Sequence, residues 1–229
     1  MKKILVFMMI LTVGFGMAGT ASATPINSEI GLSWIGGAAI GGGSGTTVAI
    51  TPHPAWQANN PFGSAAVWIS YADTGYGGGV LATPNGSATN LDGTQVIMTV
   101  TESLAAGAGD SFHLTVWADD TARVFLDGAQ LFAANFTQNI CANGQIGCTP
   151  GNGGVIDYVF QTTGQHTLAF DVYQVGSGTN TSDNPFGLLF AGELTHPHVP
   201  EPAPVPEPST WLLLVSGLAG MILWKKRTA

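Results

Sequence analysis

Two clusters of side chains have the composition that recognition chemistry requires. Trp56 follows Pro52 and Pro54 and precedes Gln57, Asn59 and Asn60. A flat aromatic ring can take the C–H face of a pyranose, and neighbouring amides can bond its hydroxyls, so this loop is a candidate sugar contact. The competing reading is a Trp that plugs one end of a barrel. The second cluster is Asp119-Asp120. Adjacent carboxylates can ligate calcium together with carbonyls, or they can bond local backbone N–H groups in a turn.

Catalytic constellations are scarce. Glu102 and Asp110, or the Asp119-Asp120 pair, have the residue types of a glycosidase dyad, but such proximity is common by chance in an acidic chain. The five histidines (His53, His113, His166, His196 and His198) lack H-E-x-x-H spacing, and no G-x-S-x-G elbow occurs. An enzyme is not expected. Cys141 and Cys148 enclose Ala-Asn-Gly-Gln-Ile-Gly. The spacing is not C-x-x-C, so a disulfide stapling a loop, worth about 2–3 kcal/mol by chain entropy, is preferred to a metal or redox pair.

Strands and turns must position these residues. Gly is abundant, β-branched and aromatic residues recur in short runs, and no sustained 3.6-residue period appears. Strands are predicted at Gly31–Ile35, Thr47–Thr51, Ala65–Tyr71, Gln95–Thr101, Ser111–Ala118, Ala122–Asp127, Val155–Gln161, Thr167–Gln174 and Gly187–Leu194. Asp127-Gly128 reads as a hairpin turn, because such turns require positive φ. The expectation is an all-β chain with one β-sandwich over residues 24–195, followed by a Pro-rich spacer over 196–205.

Charge narrows the partners. Five of the six basic residues lie at the two ends, leaving Arg123 against twelve acidic residues in the body, a net of −11. A surface of that sign repels phosphate backbones, so no nucleic-acid partner is expected. It suits neutral ligands or divalent cations.

The ends carry targeting features. Met1-Lys2-Lys3, an apolar stretch from Ile4 to Met17, and Ala21-Ser22-Ala23 form a signal peptide over 1–23, cleaved so that the mature chain begins at Thr24. At the other end, Pro206-Glu207-Pro208 precedes an apolar segment over 210–224 and the basic stop Lys225-Lys226-Arg227. About 15 helical residues cover roughly 22 Å, short of the ~30 Å hydrocarbon core. Residues 206–229 resemble the PEP-CTERM sorting signal of exopolysaccharide-producing Gram-negative bacteria. The resemblance implies a transient inner-membrane intermediate. Signal peptidase and an exosortase would process the chain, and its destination would be the cell surface or extracellular matrix.

A second resemblance lies in the body. Ile50-Thr-Pro-His-Pro-Ala-Trp56, Ala66-Val-Trp-Ile-Ser70, Trp117 to Gly128 and Asn184 to Gly192 resemble galactose-binding-like jelly-roll modules. That likeness implies a jelly roll, often carbohydrate-binding and often holding a structural calcium. Loops carrying sugar specificity vary freely in this fold, so no binding residue transfers by position. The expected role is a structural or interaction protein associated with exopolysaccharide. The alternatives are a lectin-like module and, more distantly, a secreted polysaccharide hydrolase.

Overall fold

Phe112, Leu114, Val116 and Ala118 alternate with His113, Thr115 and Trp117, and the first set is buried between two sheets. The computed structural model describes residues 21–82, 95–136, 146–175, 178–197, 213–218 and 224. Among them are twelve strands: β1 (Ser22–Asn27), β2 (Ser33–Gly36), β3 (Ser44–Thr46), β4 (Val48–Ala49), β5 (Ile69–Ser70), β6 (Val96–Ala106), β7 (Ser111–Asp119), β8 (Thr121–Leu126), β9 (Ala129–Phe132), β10 (Gly154–Val159), β11 (Gly164–Tyr173) and β12 (Gly187–His196).

The first sheet runs β10-β7-β12-β5-β4, with β1 also paired to β12, and the second runs β3-β2-β6-β11-β8-β9. Every strand pair is antiparallel. From β6 to β12 the chain crosses between sheets at every step except the β8–β9 hairpin. That alternation is the connectivity of a jelly roll, so the all-β sandwich expected from the sequence is the observed fold.

The core lies where the inner faces meet. Phe170 of β11 stacks on Phe190 of β12 with ring centroids 4.3 Å apart, flanked by Val100, Val116, Val124 and Leu188. Each such side chain contributes about 1.5–3 kcal/mol when fully buried. Asp127, with φ 50°, and Gly128, with φ 81°, make the tight β8–β9 turn, as the Asp-Gly pair predicts.

Several elements depart from expectation: β3 is not predicted, and β4 covers only Val48–Ala49 of the predicted Thr47–Thr51. Strand β5 covers only Ile69–Ser70 of the predicted Ala65–Tyr71, because the Trp68 N–H donates to the Asn59 side chain and the Val67 N–H to Ser28. Strand β1 begins at Ser22 and pairs residue by residue with β12, with Ser22 opposite His196 and Asn27 opposite Ala191. Ser22 and Ala23, assigned above to the leader, therefore take part in a ladder of the body.

Residues 21–197 form one compact unit and the two ends form another. In the second, residues 213–218 are helical. No helix among the described residues is long and apolar enough to cross a membrane. Most of the expected 210–224 segment lies outside them.

Candidate functional site

The outer face of the first sheet carries two zones of opposite character. In antiparallel ladders, directly opposed residues share a face. Leu189 opposes Trp117 and Ala191 opposes Thr115. The loop after β4 folds over this part of the face. Trp56, Trp68, Trp117, Cys148, Leu189 and Ala191 pack there with Ile50 and Ala66 into a second, smaller core.

Trp56 is central to that layer and is not an open platform. It is 5% exposed, and its ring lies 4.2 Å from that of Trp68 at 36°. The Asn59 and Asn60 amides expected to meet sugar build the loop instead, and Gln57 builds it through its backbone. The Gln57 backbone carbonyl accepts from Trp68 Nε1 at 2.7 Å and its backbone N–H donates to the Cys148 carbonyl at 2.6 Å, while its side-chain Nε2 donates only to the adjacent Ala58 carbonyl at 3.3 Å. Asn59 Oδ1 accepts from the Trp68 N–H at 2.9 Å, and Asn60 Nδ2 donates to the Ser64 carbonyl at 2.9 Å. A stacking platform needs an open ring face, and the fold buries that of Trp56. Trp56 packs as a core residue does, but on the outer face of the first sheet and not at one end of a barrel.

The loop ends in a tight turn, Pro61–Gly63, that points an aromatic ring outward. Phe62 holds φ 57° between Asn60 at φ 61° and Gly63 at φ 75°. Left-handed backbone is uncommon for a bulky residue. Here it leaves the Phe62 side chain on the surface, 80% exposed, with its ring centroid 5.9 Å from that of Trp117.

Beyond Phe62 the sheet face is uncovered. One row of residues crosses four strands: Asp157 opposes His113, His113 opposes Glu193, and Glu193 opposes Pro25. Asp157 Oδ1 lies 2.7 Å from His113 Nδ1. A carboxylate can only accept, so Nδ1 carries the proton, and in the neutral ring Nε2 is left as an acceptor. Phe62, Ser64, His113, Glu193, Pro25 and Ala23 line a groove of about 440 Å³ over this row.

The Asp119-Asp120 pair lies at the β7–β8 connection, joined by a cis peptide bond. Both carboxyls are buried. Burial drives Asp119 well above the usual carboxylate range, and the charge of Asp120 adds to the rise. The two carboxyls hydrogen-bond each other, and Asp119 is also hydrogen-bonded to the Trp56 side chain. Asp120 Oδ2 accepts the Val175 N–H at 2.8 Å. Calcium takes about six to eight oxygen ligands. No group of three or more His, Cys, Asp or Glu side chains converges among the described residues. A proton shared by the two carboxyls suits this arrangement.

Cys148 is fully buried, and no free cysteine occurs among the described residues. Its expected partner Cys141 lies outside them. Glu102 and Asp110 serve different neighbourhoods. Glu102 is raised by burial and by Glu29. Asp110 is lowered first by the Gly107 N–H, which donates at 2.7 Å, and then by His196 at 2.6 Å.

Residues 204–227 match the PEP-CTERM protein-sorting motif. The tail is a PEP-CTERM sorting signal. The match takes in Pro206, Glu207 and Pro208 and reaches Lys225, Lys226 and Arg227, all outside the described residues. PEP-CTERM sorting marks the chain for export and exosortase processing.

No curated protein matches this chain. Among solved structures, the body is similar to an exo-β-1,3-galactanase from Phanerochaete chrysosporium, solved with galactose, at 13% identity over 78% of this chain and 30% of that one, with a TM-score of 0.35. It is also similar to a GH26-CBM35 β-(1,4)-mannanase from Podospora anserina, at 9% identity over 79% and 29%, TM-score 0.30. A GH31 α-xylosidase from Xanthomonas citri matches at 9% identity over 77% and 17%, TM-score 0.33. This chain thus spans less than a third of each of these proteins. Likenesses this distant carry no argument about its activity.

Proposed function

We propose that this PEP-CTERM protein is delivered to the surface or extracellular matrix of a Gram-negative bacterium. There it acts as a non-catalytic interaction module associated with exopolysaccharide. The observation that carries the reading is the sorting motif at residues 204–227, attached to a strongly acidic β-sandwich. Signal peptidase cuts between Ala23 and Thr24. Lys225-Lys226-Arg227 resist translocation and hold the tail at the inner membrane. The exosortase then cuts near Pro206-Glu207-Pro208, and the sandwich leaves with the Pro-rich spacer.

A non-catalytic role is supported by the commitments of the carboxylates. Asp119 and Asp120 are bonded to each other beneath Trp56, and Asp110 is held by Gly107 and His196. Release of reducing ends from a polysaccharide panel by the purified protein would overturn this part of the reading. For the sorting part, mass spectrometry of the C-terminal peptide from host cells decides. A product lacking Trp211–Ala229 is expected, and a stable product that retains the tail would refute processing.

A further inference from the structure

We infer that the groove between Phe62 and Glu193 is a binding site for a neutral, hydroxyl-rich glycan chain, an assignment that rests on the polysaccharide-associated reading above. Three features converge on that ligand class. The first is the platform. The fold spends an unfavourable backbone conformation at Phe62 to present its ring to solvent, and an aromatic face is what the C–H side of a pyranose stacks on.

The second is the polar fringe. The groove lies on the face of a sheet where β1, β12, β7 and β10 already bond one another. A peptide strand adds at an open edge, through its backbone, and finds no such partners on this face. What the groove offers is side-chain acceptors, the Glu193 carboxylate and the Ser64 hydroxyl, beside the His113 ring that Asp157 holds in place. An acceptor-rich fringe calls for a donor-rich ligand, and sugar hydroxyls are donors.

The third is charge. Glu193 in the groove, Asp157 behind His113 and a body of net −11 disfavour uronate, sulfate and phosphate groups. The shape agrees, since a volume of about 440 Å³ falls in the range of small-ligand sites. One wall residue is Ala23, the last residue before the proposed leader cut, so maturation would open the groove at that end.

Affinity electrophoresis of the processed protein, purified from its host, tests the assignment. The gels contain β-1,3-glucan, galactan or mannan as neutral probes, polygalacturonate as the anionic probe and chitosan as the cationic one. Retardation by at least one neutral probe and none by polygalacturonate is expected. Phe62→Ala should weaken that binding at least tenfold, Phe62→Trp should retain it, and Glu193→Gln should weaken it several-fold. All three should melt within a few degrees of the parent, because both positions are exposed. No retardation by any neutral probe, binding to polygalacturonate or to chitosan alone, or binding indifferent to Phe62→Ala would overturn the assignment. The C-terminal mass measurement is independent, so the sorting reading can stand if the groove fails.

Discussion

His166 Nδ1 lies 2.6 Å from Asp127 Oδ2, while its Nε2 lies 3.2 Å from the Thr162 carbonyl. Both partners accept, so both contacts are satisfied together only when the ring is protonated. The Asp127 contact raises His166 above its ordinary 6.5, and the same contact, helped by the Thr167 N–H, lowers Asp127 below its ordinary 3.8. A raised histidine stabilises fully below its unfolded value and loses that contribution as pH rises through the folded one. A lowered aspartate stabilises fully above its unfolded value and loses it on acidification. The pair is therefore at full strength between about pH 4 and 6.5. Urea midpoints of the parent and His166→Gln should differ most in that window and converge as the medium becomes alkaline. A gap independent of pH would show that the contact is not ionic.

Trp56 should behave as a core residue. Its truncation to Ala leaves a void under Trp68 and Trp117 and removes a hydrogen bond to Asp119, for an expected loss of about 3–5 kcal/mol. Trp56→Phe keeps most of the packing and should cost about 1–2 kcal/mol. Denaturant unfolding followed by tryptophan fluorescence measures both. A Trp56→Ala variant as stable as the parent would contradict the packing described for this loop.

The Asp119-Asp120 pair yields a charge prediction. A carboxyl raised by burial stays protonated in the folded chain while it ionises in the unfolded one, so it lowers stability progressively as pH rises above about 3.8. Asp119→Asn keeps a donor for Asp120 without that proton uptake. Its melting temperature should rise relative to the parent as pH increases above about 4. A proton shared by the two carboxyls needs no metal, so added chelator should leave both proteins unchanged. A chelator-induced drop abolished by Asp119→Asn would instead place a cation there.

Cys148 is buried in the Trp56 layer, so the proposed bridge would fasten Cys141 to that layer. Non-reducing peptide mapping of the mature protein should recover the two cysteines as one linked peptide. Reduction should lower stability by about 2–3 kcal/mol, the entropy associated with a short closed loop. Two free thiols in the native protein would remove the staple.

Much of the sandwich was legible because alternation survives in its long strands. Phe112, Leu114 and Val116 marked an inner face on their own, and Asp127-Gly128 marked its hairpin. Strand β3 was not legible, since Ser-Gly-Thr has no apolar residue to report a face. Strand β1 was hidden because its first residues double as the small residues of a leader cleavage motif. The site was harder to read. Trp56 has the composition of a sugar contact, but composition cannot say whether a loop turns its ring toward solvent or onto a sheet. Phe62 carried a faint signal in Asn60-Pro61-Phe62-Gly63, a turn sequence that ejects its bulky member. His113 was visible on the polar side of its strand. Its neighbours Asp157 and Glu193 were not, because register across distant strands places them there.

The ladder from Ser22 to Asn27 has a consequence for the order of events during export. A peptidase reads its target as a loose, extended stretch, and Ala23 and Thr24 are tied to Thr195 and Leu194 once the sandwich has closed. The proposed leader must then be clipped while the far end of the chain is still emerging, before β12 arrives to shield the bond. Folding would act as a deadline for that first cut.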